Sequence, residues 1–443
     1  MPQETHEALP ASGRQYVYLG LAVATTVPGV AISRASNVEL PDPVLALLFG
    51  AAIVGAAFLL SWAAETAQLD ISAGLAIAVL AFIAVLPEYA VDLVFAVKGG
   101  EAYAEFGPAC QSAASKLAGS ESPCALALAN MTGANRLLIG IGWTLVVFIA
   151  WKKSRDRGER LEAVVLERSH SVELAYLSVA TVYSLTLPLK SSITLVDAAI
   201  LVSIFFAYVY RISRVPAEEP HLVGPAAALG QLPQTRRRAA IIGLFVVAAL
   251  VILACAEHFA EALVSTGQTL GVGEFFLVQW LAPLASEAPE LLVACLYAWR
   301  LNTNAGLGTL VSSKVNQWTL LVGTLPIAFA LASGTLDGLP IIARQREEVL
   351  LTAAQSFFAV MTLVNLSMSM REAKVLFVLF TAQFLTGAFV PAEWHGPELV
   401  AFSIVYLLLG MSVLVRCRKE GARLLRDGFR ASYAELSVGK VDS

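Results

Sequence analysis

Long uncharged stretches recur along the whole chain, and most are close to the length that an α-helix needs to cross a bilayer. A span of about 20 apolar residues covers roughly 30 Å of hydrocarbon, and helices buried in soluble proteins rarely stay uncharged for so long. The pattern therefore predicts twelve membrane-spanning helices. They are expected at about residues 15–33, 44–65, 72–97, 124–151, 171–189, 192–210, 239–265, 274–298, 306–334, 349–370, 372–391 and 398–416.

Composition supports the same interpretation. Of the 443 residues, 57% are hydrophobic and 14% are charged, whereas soluble domains carry about 25% charged residues. The net charge of −4 indicates little about partners, because the charges are segregated along the chain. We expect an all-α, polytopic protein whose surroundings are the lipid bilayer.

Lysine and arginine concentrate in three of the segments between and after the spans: 152–168, 211–238 and 416–440. Short cytoplasmic loops are enriched in these residues, and with twelve spans all three segments fall on one side. Both termini are therefore predicted to be cytoplasmic. No targeting signal or long regulatory domain is evident, which favours a prokaryotic plasma membrane.

The segment 211–238 divides the chain near its middle and is rich in Pro and Gly, as flexible connectors are. It ends in a run of three arginines. The resulting organisation is an N-terminal segment with an extra helix (1–43), a first repeat (44–210), the cytoplasmic linker (211–238), a second repeat (239–391), and a last helix with a basic tail (392–443).

The two halves resemble each other in their third and eighth spans. Each of these spans carries a Pro-Glu pair near its middle, Pro87-Glu88 in IAVLPEYAVD and Pro289-Glu290 in ASEAPELL. Each is followed by a span that opens with small and polar residues, ALANMTGANRLL and GLGTLVSSKVNQ. The charge pattern makes the third and eighth spans run in opposite directions, so the repeats are predicted to be inverted. Inverted repeats with broken helices are typical of alternating-access transporters.

The Pro-Glu pairs also indicate the chemistry. Proline removes a backbone donor and disfavours helix in the residue before it, so Pro87 and Pro289 are expected to free carbonyl groups that can coordinate an ion. A charged group at the bilayer centre costs about 2.5–3.5 kcal/mol on insertion scales, which marks Glu88 and Glu290 as functional candidates. Two protonated structural glutamates are the alternative, but their matched places in inverted repeats favour a transport site.

At these residues the sequence resembles the calcium:cation antiporter superfamily, the sodium/calcium exchanger membrane region, as a divergent prokaryotic member. The repeats of that family read roughly G-T-S-x-P-E, then G-N-x-x-G-S-N-x-x-N/D. The resemblance implies a five-plus-five helix core with an extra helix at each end. It also implies a set of cation-binding residues in one mid-membrane site: Glu88, Glu290, Asn130, Asn135, Ser313 and Gln317.

This sequence departs from the family pattern at several positions. Val85 and Leu138 replace polar residues of the first repeat, and Glu287 replaces a serine three residues before Glu290, on the same helical face. We expect Glu287 to join the site.

Lys314 stands where the family has asparagine and is expected to tune the charge of the site. Three interpretations stay open. Glu88, Glu287 and Glu290 together with Lys314 would leave two negative charges, which suits one divalent ion. Alternatively, Lys314 neutralises Glu287 permanently, or it gives up its proton when the cation binds. A lysine snorkelling from a helix end is the structural alternative. For Arg136, a pair with Asp92 and a contact with a lipid headgroup are both open.

The predicted function is secondary antiport of Na⁺ or Ca²⁺ against H⁺ or another cation, by alternating access at the glutamate site. The missing polar ligands and Lys314 shift the expectation towards Na⁺/H⁺ or another proton-coupled exchange. A cation channel or an inactive scaffold or sensor on the same fold is the alternative. No protease or phosphate-loop motif occurs, so we expect no enzyme, no cofactor, no nucleic-acid partner and no metal beyond the transported ion. Cys110 and Cys124 share one loop and are expected either to pair or to remain two thiols.

Overall fold

Helices make up nearly all of the regular structure. The computed structural model describes residues 13–34, 40–70, 86–111, 123–214, 222, 224–271, 274–389, 391 and 394–438. The helices are α1 (Gly13–Ser33), α2 (Asp42–Ala67), α3 (Leu86–Phe106), α4 (Pro123–Leu137), α5 (Thr144–Asp156), α6 (Ser171–Ser184), α7 (Leu195–Ile212), α8 (Pro225–Gly230), α9 (Gln234–Leu270), α10 (Glu274–Trp299), α11 (Thr303–Asn316), α12 (Val322–Ser333), α13 (Ala343–Thr362), α14 (Met370–Phe389), α15 (His395–Arg416), α16 (Arg418–Arg430) and α17 (Tyr433–Val438).

Every predicted span contains helix where the structure describes it, but two of them were placed too widely: 192–210 includes the strand Ser192–Ile193, and 349–370 includes the strand Ser367–Ser369. Within the described residues, eight helical segments are long and apolar enough to cross a membrane, and the bent helix α10 makes a ninth. Helices α13 and α14 are less apolar because charged residues occupy their first turns. The first half of the predicted third span, residues 72–85, lies outside the described residues. The all-α, polytopic membrane fold is thus confirmed.

The outer surface of the helix assembly is apolar. Large side chains such as Leu253, Phe206, Leu331 and Leu408 are more than half exposed. Soluble proteins rarely expose so much contiguous apolar surface, whereas lipid is a suitable neighbour for it. The polar residues of the predicted site are buried inside instead.

The two halves of the chain repeat one order of elements. Each half has two helices, then a helix interrupted by a π-helical turn, then strand, helix, strand, helix. The π turns are Leu138–Trp143, between α4 and α5, and Gln317–Leu321, between α11 and α12. Turns of this kind are rare and often occur at functional sites. Their matched positions are what two repeats of one unit would produce.

Four short strands link the halves: β1 (Ala163–Val165), β2 (Ser192–Ile193), β3 (Leu339–Pro340) and β4 (Ser367–Ser369). β1 pairs antiparallel with β4, with Val164 opposite Met368, and β2 pairs antiparallel with β3, with Ile193 opposite Leu339. The first strand of each half therefore pairs with the second strand of the other half. Exchanging the halves leaves this pairing unchanged, as a two-fold relation between them requires.

Three features fix the connections. Cys110 and Cys124 form a disulfide with their Cα atoms 6.1 Å apart, which decides between the two sequence-based alternatives. The described part of the linker is ordered, with α8 and the start of α9 within it, so that part is not the flexible connector that its composition suggested. The basic tail forms α16, which packs along α6, and Arg168 Nε lies 2.8 Å from Asp427 Oδ2.

A buried carboxylate holds the start of α9 against the end of α2. Arg237 Nε lies 2.7 Å from Asp70 Oδ2, and Arg238 Nε lies 3.1 Å from Asp70 Oδ1. The hydrogen bond from Arg237 is the main reason that the pKa of Asp70 falls to about 2. A carboxyl group whose pKa is lowered by folding stabilises the folded state at pH values above its usual pKa, which is near 3.9. This stabilisation is lost as the pH falls towards 2. Asp70 therefore stays ionised at neutral pH, and its ion pairs with Arg237 and Arg238 do not change there.

Helices α4 and α10 cross so closely that only glycine fits at position 133. A Cβ atom built on Gly133 would lie 1.6 Å from the main-chain oxygen of Gln279. We expect Gly133→Ala to push these helices apart and to lower stability by at least about 1–3 kcal/mol, the usual cost of overpacking. Thermal unfolding of the purified protein in detergent measures this.

The matched control for Gly133→Ala is Gly243→Ala, since Gly243 also lies in a helix but has nothing within 4 Å of the added atom. The control should unfold at the wild-type temperature or slightly above it, because alanine favours helix. Equal melting temperatures for the two variants would contradict the close crossing.

Candidate cation-binding site

Three glutamate side chains meet between α3 and α10. Glu88 comes from α3, and Glu287 and Glu290 come from α10, where their three-residue spacing places them on one face. Glu88 is 3% exposed and Glu287 is 2% exposed. The Glu287 carboxyl group lies within hydrogen-bonding distance of both Glu88 and Glu290. The structure thus brings together the three carboxyl groups that the sequence predicted.

Helix α11 and the π turn that follows it each supply one polar group to these carboxyl groups. Ser313 Oγ donates a hydrogen bond of 2.6 Å to Glu290 Oε2. The Gln317 side-chain nitrogen donates a hydrogen bond to Glu287 Oε1. Ser313 and Gln317 lie four residues apart, so both face α10. These contacts place both residues beside the glutamates, where the family resemblance had put them.

Several oxygens of this cluster accept no hydrogen bond from a nitrogen or hydroxyl donor of the described residues. They are Glu88 Oε1, Glu287 Oε2 and Gln317 Oε1, and all are buried. A buried oxygen without a donor is costly and calls for an explanation such as a proton or an ion. Adjacent carboxylates also repel each other strongly when buried. The cluster is therefore suited to exchange protons for a cation.

Lys314 lies on the same helix but points at the other half of the protein. It is fully buried, and its Nζ donates hydrogen bonds of 2.5 Å to the main-chain oxygen of Asn135 and 2.6 Å to Asn135 Oδ1. The Trp318 ring lies beneath it, with its centroid 5.5 Å from Nζ. Snorkelling to a helix end is thus wrong for Lys314. Its hydrogen bonds go to Asn135, and it acts on Glu287 only through its charge.

Asn130 takes a different partner from the one its place in the motif implied. Its Nδ2 donates a hydrogen bond of 2.8 Å to Asp92 Oδ1, and both residues are fully buried. Asp92 lies one turn beyond Glu88 on α3. Asn130 therefore supports a fourth carboxyl group next to the cluster, and its side chain bonds to Asp92 rather than to the three glutamates.

Arg136 forms an ion pair that the sequence analysis missed. Its Nη2 lies 2.8 Å from Glu348 Oε2, and both side chains are buried. Gln279 Nε2 donates hydrogen bonds of 3.1 Å to Glu348 Oε2 and to Thr132 Oγ1. Neither Asp92 nor a headgroup is the partner of Arg136. Glu348 was overlooked because the predicted span began at residue 349, after a charged stretch that is typical of a solvent loop.

A helix break is visible at Pro289, whereas residues 71–85, shortly before Pro87, lie outside the described ones. Helix α10 bends by 56° between Phe276–Ala288 and Glu290–Trp299, on either side of Pro289. A proline accounts for such a kink, since it removes one helical hydrogen bond. Pro87 lies in the first turn of α3, and residues 71–85 before it, Val85 included, lie outside the described residues. The bend places Glu287 and Glu290 on the two sides of the break.

Within the described residues, no three His, Cys, Asp or Glu side chains are spaced as ligands of one metal ion. Because the glutamates are adjacent to one another, they would have to separate slightly to surround a cation. Three carboxyl groups in contact can share protons, and a protonated state is one of the two states that an exchange site needs.

A polytopic helical fold with inverted halves and a buried carboxyl cluster between them defines a secondary cation antiporter. The family model described as sodium/calcium exchanger protein matches residues 42–213 and 240–389. The chain belongs to that family. The alternatives of a channel or an inactive scaffold are not favoured.

Solved structures agree with this assignment. The chain is similar to the crystal structure of the H⁺/Ca²⁺ exchanger CAX, with 41% identity and a TM-score of 0.83 over 95% of this chain and 98% of that one. Native YfkE has 16% identity and a TM-score of 0.55 over 89% of this chain and all of that one, and shows the shared fold alone. Among curated protein sequences, none matches significantly.

Proposed function

We propose that this antiporter exchanges Ca²⁺ for H⁺ at the site formed by Glu88, Glu287 and Glu290. The observation that carries the proposal is the contact of three carboxyl groups, two of them buried, which hold either shared protons or a cation. Calcium prefers six to eight oxygen ligands, carboxylates among them. The 41% identity to an H⁺/Ca²⁺ exchanger supports Ca²⁺ among the proton-coupled exchanges that the sequence left open.

The remaining ligands would come from neutral oxygens beside the glutamates. Ser313 Oγ and Gln317 Oε1 are close enough to serve after small side-chain rotations, since both residues already contact a glutamate. Main-chain carbonyl groups freed at the bend of α10 would add further oxygens. Obligatory exchange follows, because the same carboxylate oxygens bind either the protons or the ion.

The orientation in the membrane is part of the proposal. Basic segments on one side support cytoplasmic termini, and the Cys110–Cys124 disulfide in the loop between α3 and α4 supports an oxidising space on the other side. We place the protein in a prokaryotic plasma membrane. Transport of this kind requires no cofactor, nucleic acid or chemical conversion of the substrate.

The test is ion flux in liposomes that hold the purified protein, a pH dye and a Ca²⁺ dye, with the interior acidic. Adding Ca²⁺ outside should give Ca²⁺ uptake together with proton efflux, and a protonophore should suppress the uptake. Na⁺ or K⁺ should give no proton efflux. Glu261→Gln, at an exposed carboxylate paired with Lys98, should behave as wild type.

Other outcomes of the flux measurement would each overturn part of the proposal. Proton efflux with Na⁺ and not with Ca²⁺ would replace the substrate. Calcium uptake that ignores the pH gradient would remove the proton as counter-ion. Collapse of both gradients, with neither driving the other, would indicate a channel.

A further inference from the structure

Lys314 and Asn135 occupy the same place in the two halves of the chain. Asn135 lies three residues before the π turn that starts at Leu138, and Lys314 lies three residues before the π turn that starts at Gln317. The two residues contact each other directly. Equivalent positions can meet only where the two halves face each other across their common axis. Lys314 thus reaches the centre of the interface between the halves.

The groups that bind the Lys314 ammonium are the kind that bind metal cations. Both acceptors are neutral oxygens of Asn135, one from the main chain and one from the side-chain amide, at 2.5 and 2.6 Å. Carbonyl oxygens of this type are preferred by hard cations. The Trp318 ring adds a further attraction for a positive charge. The surroundings of Nζ therefore constitute a cation position that is filled by the protein itself.

We propose that the Lys314 ammonium is a tethered cation, which occupies a second ion position next to the glutamate site and keeps monovalent ions such as Na⁺ out of it. The inference rests on the proposed exchange function and deepens it. One exchangeable position remains, at Glu88, Glu287 and Glu290.

Charge balance leads to the same result. With Asp92 protonated beside Asn130, three ionised glutamates and one ammonium leave two negative charges, which one Ca²⁺ cancels. A second cation in the same buried volume would leave uncompensated positive charge, and an unpaired charge in a low-dielectric interior is very costly. A free ion beside Ca²⁺ is therefore excluded by occupancy and by charge.

The test compares Na⁺ binding by wild type, Lys314→Asn and Lys314→Met. Asparagine supplies an oxygen and removes the charge, whereas methionine removes the charge without an oxygen. We expect Na⁺ to raise the melting temperature of Lys314→Asn, with an affinity at least about tenfold above wild type, because binding to the folded state stabilises it. In liposomes, the rate of Ca²⁺ uptake by Lys314→Asn should change when Na⁺ is added, whereas the rate for wild type should not. Lys314→Met should gain little Na⁺ binding.

The outcomes separate this proposal from the proposed function. Wild-type protein that binds Na⁺ as well as Lys314→Asn does, or folded Lys314→Asn without a Na⁺ response, would overturn the tethered cation. If wild type fails to exchange Ca²⁺ for H⁺, the proposed function falls, but the Na⁺-binding comparison still decides the role of Lys314. Should Lys314→Asn not fold, Lys314→Ala with added methylammonium replaces it. Stabilisation by that ion is expected, and its absence would contradict the proposal.

Discussion

Replacing Glu290 with glutamine is expected to abolish coupled exchange. Glutamine keeps an oxygen near Ser313 but carries neither the negative charge that binds Ca²⁺ nor the proton that is returned in exchange. Loss of one charge-assisted interaction is worth roughly 1.5–3 kcal/mol, which lowers Ca²⁺ affinity by about ten- to a hundredfold. Because the proton is also lost, the rate of coupled flux should fall further than the affinity.

Glu88→Gln should have a similar effect, since Glu88 faces Glu287 from the opposite half. The measurement is proton efflux on addition of Ca²⁺ to acid-loaded liposomes, together with Ca²⁺ binding to the purified protein. Glu261→Gln removes a carboxylate from the same protein at an exposed position and should retain wild-type flux. Normal coupled flux in both Glu88→Gln and Glu290→Gln would show that the carboxyl cluster is structural.

Of the substitutions proposed here, replacing Arg136 with methionine is expected to cause the largest loss of folding stability. The substitution leaves Glu348 buried without its charge partner and leaves Gln279 with a changed acceptor. Breaking one side of a buried ion pair typically costs about 3–5 kcal/mol. The melting temperature in detergent should fall by several degrees. The double variant Arg136→Met/Glu348→Met should recover much of the loss, because apolar replacement of both partners is often neutral.

Lys98→Met is the matched control for Arg136→Met. Lys98 Nζ lies 2.7 Å from Glu261 Oε1, but both side chains are substantially exposed. Exposed ion pairs contribute about 0–1 kcal/mol, so the control should melt close to wild type. If Arg136→Met and Lys98→Met shift the melting temperature equally, the buried Arg136–Glu348 pair contributes no more to folding stability than an exposed pair does.

The parts of the fold and site that the sequence predicts are those with a strong local pattern. Apolar runs predict the spans because length and hydrophobicity alone decide whether a helix can cross a membrane. The Pro-Glu pairs mark Glu88 and Glu290 as candidate site residues because an ionisable group inside the membrane is costly and is usually functional. Glu287 follows from its spacing on the same face.

The partners of buried polar groups are less predictable. Asn130 binds Asp92, and Arg136 binds Glu348 more than two hundred residues away. These choices depend on how each helix is rotated and on which helix packs beside it, and neither is encoded in local periodicity. The strands β1 to β4 are two or three residues long, too short for any alternation to show.

The number of helices in each half has a consequence for the history of the chain. Five crossings are predicted for each half. In the first half they involve α2, α3, the pair α4 and α5, α6 and α7, and five is odd. A tandem copy of such a unit enters the membrane facing the opposite way, so one duplication event would by itself create a binding site that looks alike from either side of the bilayer. Positions such as Asn135 and Lys314, once identical by descent, would then have been free to diverge into an ion ligand and a substitute for the ion.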